Sequence, residues 1–412
     1  MQDASISSNA ADGANDDRLL TPHFALVTAA ALAVFIGFGA TIPLLPRFIE
    51  QEFGDGPTTI GVVFGTISLS AIVIRPFAAR WGDTLGRRFL IVTGAAIVAV
   101  GVALHATAVS SEMLVPFRLV MGAGQGMLFV GAATLVNDLA PPHRRGEATS
   151  YFSVAVYGGL GVGPLIGELL LDAVGFTTAW LLAAGFVAAG VVIALRLPAR
   201  IGVPERPPAP PTGPLRDRLA HPAGIGPGLV LMLGVMPYAA FASYVPGVAD
   251  EAGLGDAGTI FAVYAATVLT VRLLGARLPD RLGLRVTGTA ALTTIGLGML
   301  LLATLQTPIG LHLAAMVYAV GQSLLYPALF AAAVNSVGDD ERSRVVATFT
   351  MFFDISNGVG GLVLGLAAGA AGRSGAFLFA AVLAMMGLVA LQSLLADRRS
   401  SRPATLSPSA GN

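Results

Sequence analysis

The chain of 412 residues is 55% hydrophobic and 12% charged, with a formal net charge of zero and a mean hydropathy of +0.76. Soluble domains carry charge on about a quarter of their residues, so a soluble globular protein is excluded. With no cysteine and no lysine in the chain, disulfides, thiolate metal sites, cysteine nucleophiles and a GxxxxGK[ST] phosphate loop are excluded as well.

Residues 1–22 are polar and acidic, and the apolar run that follows is too long for the core of a cleavable signal peptide. They are expected to form a cytoplasmic tail. A bilayer core of about 30 Å needs about 20 apolar residues per helix, and twelve such runs follow: 23–45, 58–79, 89–109, 114–137, 148–172, 177–196, 228–248, 257–277, 285–305, 309–335, 345–370 and 376–395. The expected fold is therefore an all-α polytopic membrane protein with twelve transmembrane helices in two six-helix bundles, 23–197 and 226–396. Between them, the stretch from Arg196 to Pro222 is dense in Pro and Arg, and residues 198–225 are read as an extended cytoplasmic linker. Residues 397–412 are read as a second cytoplasmic tail.

All 24 positive residues are Arg. With both termini inside, 21 fall in cytoplasmic segments, Arg47 and Arg373 fall outside, and Arg118 lies within a span. The outer loops carry acids instead, including Glu50, Asp250 and Glu251. The expected location is the cell (inner or plasma) membrane.

The stretch RPFAARWGDTLGRRF from Arg75 aligns without a gap to RLLGARLPDRLGLRV from Arg272, at an offset of 197. The shared residues include Arg75/Arg272, Asp83/Asp280, Gly86/Gly283 and Arg88/Arg285. Gly124-Gln125 matches Gly321-Gln322 at the same offset, and Arg145, Ala148 and Gly159 match Arg344, Ala347 and Gly358 at 199. The halves are thus a parallel duplication, an arrangement in which substrate sites lie near the midplane between bundles.

Four motifs then carry a family resemblance. Pro76, Asp83, Gly86, Arg87 and Arg88 fit P-x-x-G-x-x-x-D-x-x-G-R-R, with Ala79 in place of the first Gly. Arg118, Gly122 and Gly124 fit R-x-x-x-G-x-G. Gly159, Gly163, Pro164 and Gly167 fit G-x-x-x-G-P-x-x-G, and GATIPLLP closes the first span. The chain resembles a major facilitator superfamily transporter of the twelve-helix drug:proton antiporter type, over residues 23 to 396.

The resemblance implies a cytoplasmic gate formed by Arg75, Asp83, Gly86, Arg87 and Arg88 with the partial echo Asp280, Gly283 and Arg285. Asp83 would face the eleventh span and Asp280 the fifth, the first copy being the stronger latch. A carboxylate there can accept from Arg and from the free N–H groups of a helix start; the plainer account is that these charges only set topology. For Gly159, Gly163, Pro164 and Gly167 the choice is between a tight helix contact and a contact between bundles that shifts during transport, and the second is expected.

An ionisable residue in mid-membrane is a functional candidate by default. Asp354 is the foremost, on one helix face with Thr350, Asn357 and Gly361; it would serve proton or cationic-substrate binding, or else be a hydrogen-bonded structural carboxyl. Arg118 could stabilise an ionised carboxylate, contact an anionic substrate or snorkel outward. Glu168 is a second acid candidate, and His312 a weaker one. From the first, fourth, seventh and tenth helices, Phe35, Phe38, Gln125, Tyr238, Phe241, Tyr244, Gln322 and Tyr326 are expected to line the cavity, with Asn357. Rings and a few amides suit an apolar organic solute.

The resulting expectation is secondary active export of a small apolar or amphipathic organic compound by proton antiport and alternating access, as in drug resistance. A sugar or metabolite exporter or facilitator without proton coupling is the alternative, and a membrane receptor or scaffold a further one. No enzyme activity, metal, cofactor or nucleic acid is expected. The proton gradient supplies energy, and the protein is expected to work as a monomer in the lipid bilayer.

Overall fold

The computed structural model describes residues 19–141, 144–199, 201, 221–275, 278–338 and 341–400. Residues 1–18, 202–220 and 401–412, which hold most of the two expected tails and the linker, lie outside the described residues. The helices in chain order are α1 (Pro22–Phe53), α2 (Pro57–Leu85), α3 (Arg87–His105), α4 (Ser111–Leu139), α5 (Arg145–Ala194), α6 (Pro222–Val235), α7 (Pro237–Glu251), α8 (Gly258–Leu274), α9 (Leu278–Thr304), α10 (Pro308–Val334) and α11 (Arg342–Ser400).

Among the described residues nine helical stretches are long and apolar enough to cross a bilayer, with α6 and α7 counted together. Two of them, α5 and α11, are broken by a single glycine turn and cross twice, while the 17-residue α8 is a shorter apolar helix. The twelve crossings read from the sequence are recovered in this way. The seventh is interrupted at Met236, because Pro237 cannot donate a backbone hydrogen bond. The outward lining of the molecule in Leu, Val, Phe and Met, such as Leu182, Phe186, Phe379 and Met386, is what hydrocarbon requires and water would not tolerate.

Helix ends differ modestly from the sequence reading. Pro222 at the first helical position, with the His221 side chain accepting from the Ala223 N–H, starts α6 before the expected end of the linker. At the other end, α11 continues to Ser400, beyond the expected bundle boundary at 396.

The duplication is written in the backbone. Gly86 and Gly283 both have positive φ, 92° and 72°, and so do Gly175 and Gly372, at 72° and 71°; both pairs are 197 apart. A side chain is strained in that region, so each turn demands glycine in both copies. Packing repeats too: a Cβ on Gly124 would meet the Gly94 carbonyl at 2.6 Å, and one on Gly321 would meet the Ala291 carbonyl at 2.4 Å. Gly94 and Ala291 are themselves 197 apart, so small residues set the same α3/α4 and α9/α10 approach in each bundle.

The bundles meet along two seams, α2 against α11 and α5 against α8. In the first, Gly61 and Gly65 approach Gly361 and Gly365 so closely that a Cβ on Gly61 would lie 2.4 Å from the Gly365 Cα. In the second, a Cβ on Gly161 would lie 2.2 Å from the Ala265 Cβ. Alternation of the helices puts the Arg-rich loops on one face of the molecule and the acid-bearing turns on the other.

Candidate functional site

Between the bundles lies a cavity of about 190 Å³. A water's share of the liquid is about 30 Å³, so the space admits a small organic molecule rather than a few ordered waters. Seven of the nine expected lining residues are there: Phe35, Phe38, Gln125, Tyr238, Gln322, Tyr326 and Asn357. Phe241 and Tyr244 are not. Phe241 is wholly buried among Phe261, Tyr264 and Tyr318, inside the carboxyl-terminal bundle. Tyr244 instead donates its hydroxyl to the Pro57 carbonyl at 3.0 Å, across the bundles on the acid-rich face.

The lining also draws on helices outside the expected set, through Phe64 and Ser68 of α2, Tyr157 of α5, Tyr264 and Arg272 of α8 and Phe353 of α11. These are the seam helices. They contribute because the two seams close only part of the height, leaving their inner faces to the cavity.

Asp354 stands in this wall, 8% exposed, about 18 Å along α11 from Arg342 at 1.5 Å per residue. Its carboxylate accepts from Arg75 Nη2 at 2.8 Å. Arg75 belongs to α2, so the pair ties one bundle to the other. The sequence reading had put Arg75 in the loop gate and considered Arg118 as the partner of a carboxylate; both are corrected here. Arg75 lies ten residues before the end of α2, about 15 Å along the helix from the loop.

Arg118 lines the same cavity at 3% exposure, and it is paired with no acid among the described residues. Its Nη1 reaches only the Met121 sulfur at 3.8 Å, while Nε and Nη2 have no hydrogen-bond partner. The glycines after it serve packing: Cβ atoms on Gly122 and Gly126 would strike α2, at the Ile67 carbonyl and at Ile74. Gln322 gives its amide to the Gly234 carbonyl and the Tyr318 hydroxyl, at 3.1 and 2.7 Å.

Among the described residues, the contacts of the Asp83 loop stay within one bundle. Asp83 accepts from Arg87 at 2.8 Å, Arg87 also holds Asp138 at 3.2 Å, and Arg88 donates to the Leu195 carbonyl at 2.8 Å. All of these belong to the amino-terminal bundle, and among the described residues Asp83 makes no contact with the eleventh span. Gly86 and Gly283 supply the turns, and Arg285 is exposed. The side chain of Asp280 lies outside the described residues.

The fifth-helix motif is likewise corrected. Cβ atoms on Gly159, Gly163 and Gly167 would meet Phe35, the Ile36 carbonyl and the Ala40 carbonyl, at 2.7, 2.5 and 2.3 Å. These glycines therefore seat α5, with its Pro164, against α1 within one bundle. Between them, Gly161 faces the other bundle.

A polar seal that the sequence reading missed closes the acid-rich face. Arg47, almost fully buried, pairs with Glu168 at 2.9 Å and Asp250 at 2.6 Å, and donates to the Gly255 carbonyl at 3.2 Å. Glu168 accepts from the Ala257 N–H at 3.3 Å. Arg373 pairs with Glu50 and Glu251, its guanidinium lying where a side chain on Gly247 would be. Glu168 is thus bound into this seal and not placed beside Asp354. His312 donates or accepts at Thr259, 3.0 Å away, away from the cavity lining. The signal for the seal was present: Arg47 and Arg373 are the two arginines assigned to the acidic side, and both turn out to bridge acids from opposite bundles.

Among known families, the profile described as Major Facilitator Superfamily matches residues 27–317 and 227–411. An uncharacterized MFS-type transporter of Salmonella typhimurium is 26% identical over 393 residues, covering 91% of this chain and 98% of its own. A second, from Pseudomonas aeruginosa, is 29% identical over 409 residues, covering 92% and 94%. Of solved structures, a POT family transporter in complex with a thioalcohol-conjugated peptide superposes with a TM-score of 0.74 at 14% identity, over 92% of this chain and 96% of that one.

Proposed function

The chain belongs to the Major Facilitator Superfamily, and on that footing we propose that it exports a small apolar or amphipathic organic compound by proton antiport. It is a multi-pass membrane transporter. In the proposed orientation the Arg-rich face is cytoplasmic, as the excess of arginine favours, and the sealed acid-rich face is external. The protein works as a monomer in the inner or plasma membrane, with the proton gradient in place of a cofactor.

The Arg75–Asp354 pair carries this reading. It is buried, borders the cavity and joins the two bundles, so the protonation state of one carboxyl bears directly on their separation. A proton on Asp354 removes the charge that holds Arg75, and the seam between α2 and α11 loses its polar tie; release of that proton restores it. Substrate and proton then compete for one conformational equilibrium, which is what antiport requires. At the external face, Arg47 and Arg373 with their acids form the seal that must open for release. The Asp83 loop closes the cytoplasmic side in the opposite half of the cycle.

The test is transport in liposomes under an imposed pH gradient, with hydrophobic cations, neutral compounds and amphipathic anions as substrates. Accumulation that follows the gradient in wild type and disappears in Asp354→Asn, while substrate exchange without a gradient persists, is the expected result. Full proton-driven accumulation by that variant would remove Asp354 from the coupling mechanism.

A further inference from the structure

The groups lining the cavity are unequal in charge. Asp354 is engaged by Arg75, whereas Arg118 and Arg272 face the same space with no acidic partner among the described residues. Arg272 has a substitute, since its guanidinium lies 3.8 Å over the Tyr157 ring. Arg118 has only a thioether sulfur.

A guanidinium does not shed its proton in a protein, and a buried charge without a partner is costly. Arg47 and Arg75 also leave Nε without a partner, but each gives its terminal nitrogens to carboxylates. At Arg118, the two unpartnered atoms are Nε and Nη2. These two form one edge of the planar fork, the edge that grips both oxygens of a carboxylate at once. The neighbouring titratable group is His105, whose Nδ1 is held by the Gly101 carbonyl at 2.7 Å and whose ring stacks on Trp180. An imidazole carries no negative charge in either of its forms, so it cannot neutralise Arg118.

We infer that the transported compound is an amphipathic carboxylate whose anionic group docks on Arg118, the Nε/Nη2 edge, closed off from solvent in this conformation, turning to meet it. Its apolar body lies against Phe35, Phe38 and Phe64, and Gln125, two helical turns from Arg118 on the same face, orients its polar substituents. This deepens the transport reading and rests on it in taking the cavity as the substrate site.

The experiment is equilibrium binding to the purified protein in nanodiscs, without a pH gradient. The probes are a panel of aromatic and medium-chain monocarboxylates from benzoate to decanoate, including 2-naphthoate, each beside its own carboxamide. At least one acid is expected to bind about tenfold or more tightly than its amide, a difference of about 1.4 kcal/mol. Arg118→Gln should remove that preference. Arg118→Lys, which keeps the charge but loses the planar fork, should weaken it several-fold, and it carries the test if Arg118→Gln does not fold. A wild-type protein that binds every acid and amide alike, or a folded Arg118 variant with undiminished preference, overturns the inference. Because no gradient is applied, a failure of proton coupling at Asp354 leaves these results unchanged, and a carboxylate-blind protein that still pumps would refute only the anion assignment.

Discussion

The two seams between the bundles descend from one ancestral design and have diverged at their charged centre. Arg75 in α2 and Arg272 in α8 occupy the same repeat position, each reaching across to the opposite bundle. Arg75 finds a carboxylate at 2.8 Å; Arg272 finds a ring at 3.8 Å. By the 199-residue offset of this region, Ala155 stands where Asp354 would be repeated. A duplicated scaffold thus carries a carboxylate–guanidinium pair across one seam and a cation–ring contact across the other. Pseudo-symmetry in the backbone does not require symmetry in the chemistry.

The comparison can be broken most severely at the ion pair. Arg75→Gln leaves Asp354 buried without its counter-charge, and should lower stability by about 3–5 kcal/mol, read as a large fall in the thermal midpoint at neutral pH. Asp354→Asn removes the charge together with its need for a partner, so the loss of stability should be smaller although coupled accumulation is abolished.

A strong effect is expected at the external seal. Arg47→Gln frees Glu168 and Asp250 at once, and should shift the population toward the outward-open state. The chain has no cysteine, so Gln125→Cys gives a single reporter in the cavity. Its labelling by an impermeant thiol reagent from the acid-rich side should rise several-fold in the Arg47→Gln background. Unchanged labelling would mean that the glycine contacts of the α2/α11 seam hold that face shut alone.

Two glycine substitutions separate packing from gating. Gly163→Ala places a methyl 2.5 Å from the Ile36 carbonyl within one bundle, and should cost about 1–3 kcal/mol of stability. Gly61→Ala acts across the bundles, and should reduce occupancy of the sealed state more than it lowers the thermal midpoint.

The quieter seam gives smaller effects. Tyr157→Leu withdraws the ring beneath Arg272, with an expected cost of about 0.5–2 kcal/mol and little change in pH dependence. Asp83→Ala should be nearly neutral for stability, since a half-buried pair within one loop is worth about 0–1 kcal/mol, yet transport should slow. Unchanged turnover would reduce the loop charge to a topology signal.

The fold was legible because hydrocarbon imposes long apolar runs and because duplication repeats scarce residues at a fixed spacing. Asp354 was legible for the same reason, as the acid in an otherwise apolar run. Its partner was not: Arg75 sits inside a loop motif in the sequence, and only the length of α2 carries it about 15 Å from that loop at about 1.5 Å per residue. Phe241 and Tyr244 were assigned to the cavity from their span alone, since helix number does not say which way a side chain turns around its axis. The glycines of the fifth span were misread for a related reason. Spacing of four marks a close approach, but not whether the approaching helix belongs to the same bundle. Gly175 and Gly372 could have been found by extending the 197-residue comparison past the charged loop.

Those two glycines have a mechanical consequence. With one non-helical residue between successive crossings in α5 and two in α11, little slack separates the seam helix from the lipid-facing helix behind it. Each pair must tilt as a single lever, and the outer arm, bearing Leu181, Leu182, Phe379 and Met386, sweeps through acyl chains as it does so. Part of the work of every cycle is then done on the bilayer, and turnover in reconstituted vesicles should vary with acyl-chain length even where the substrate and the proton gradient are held constant.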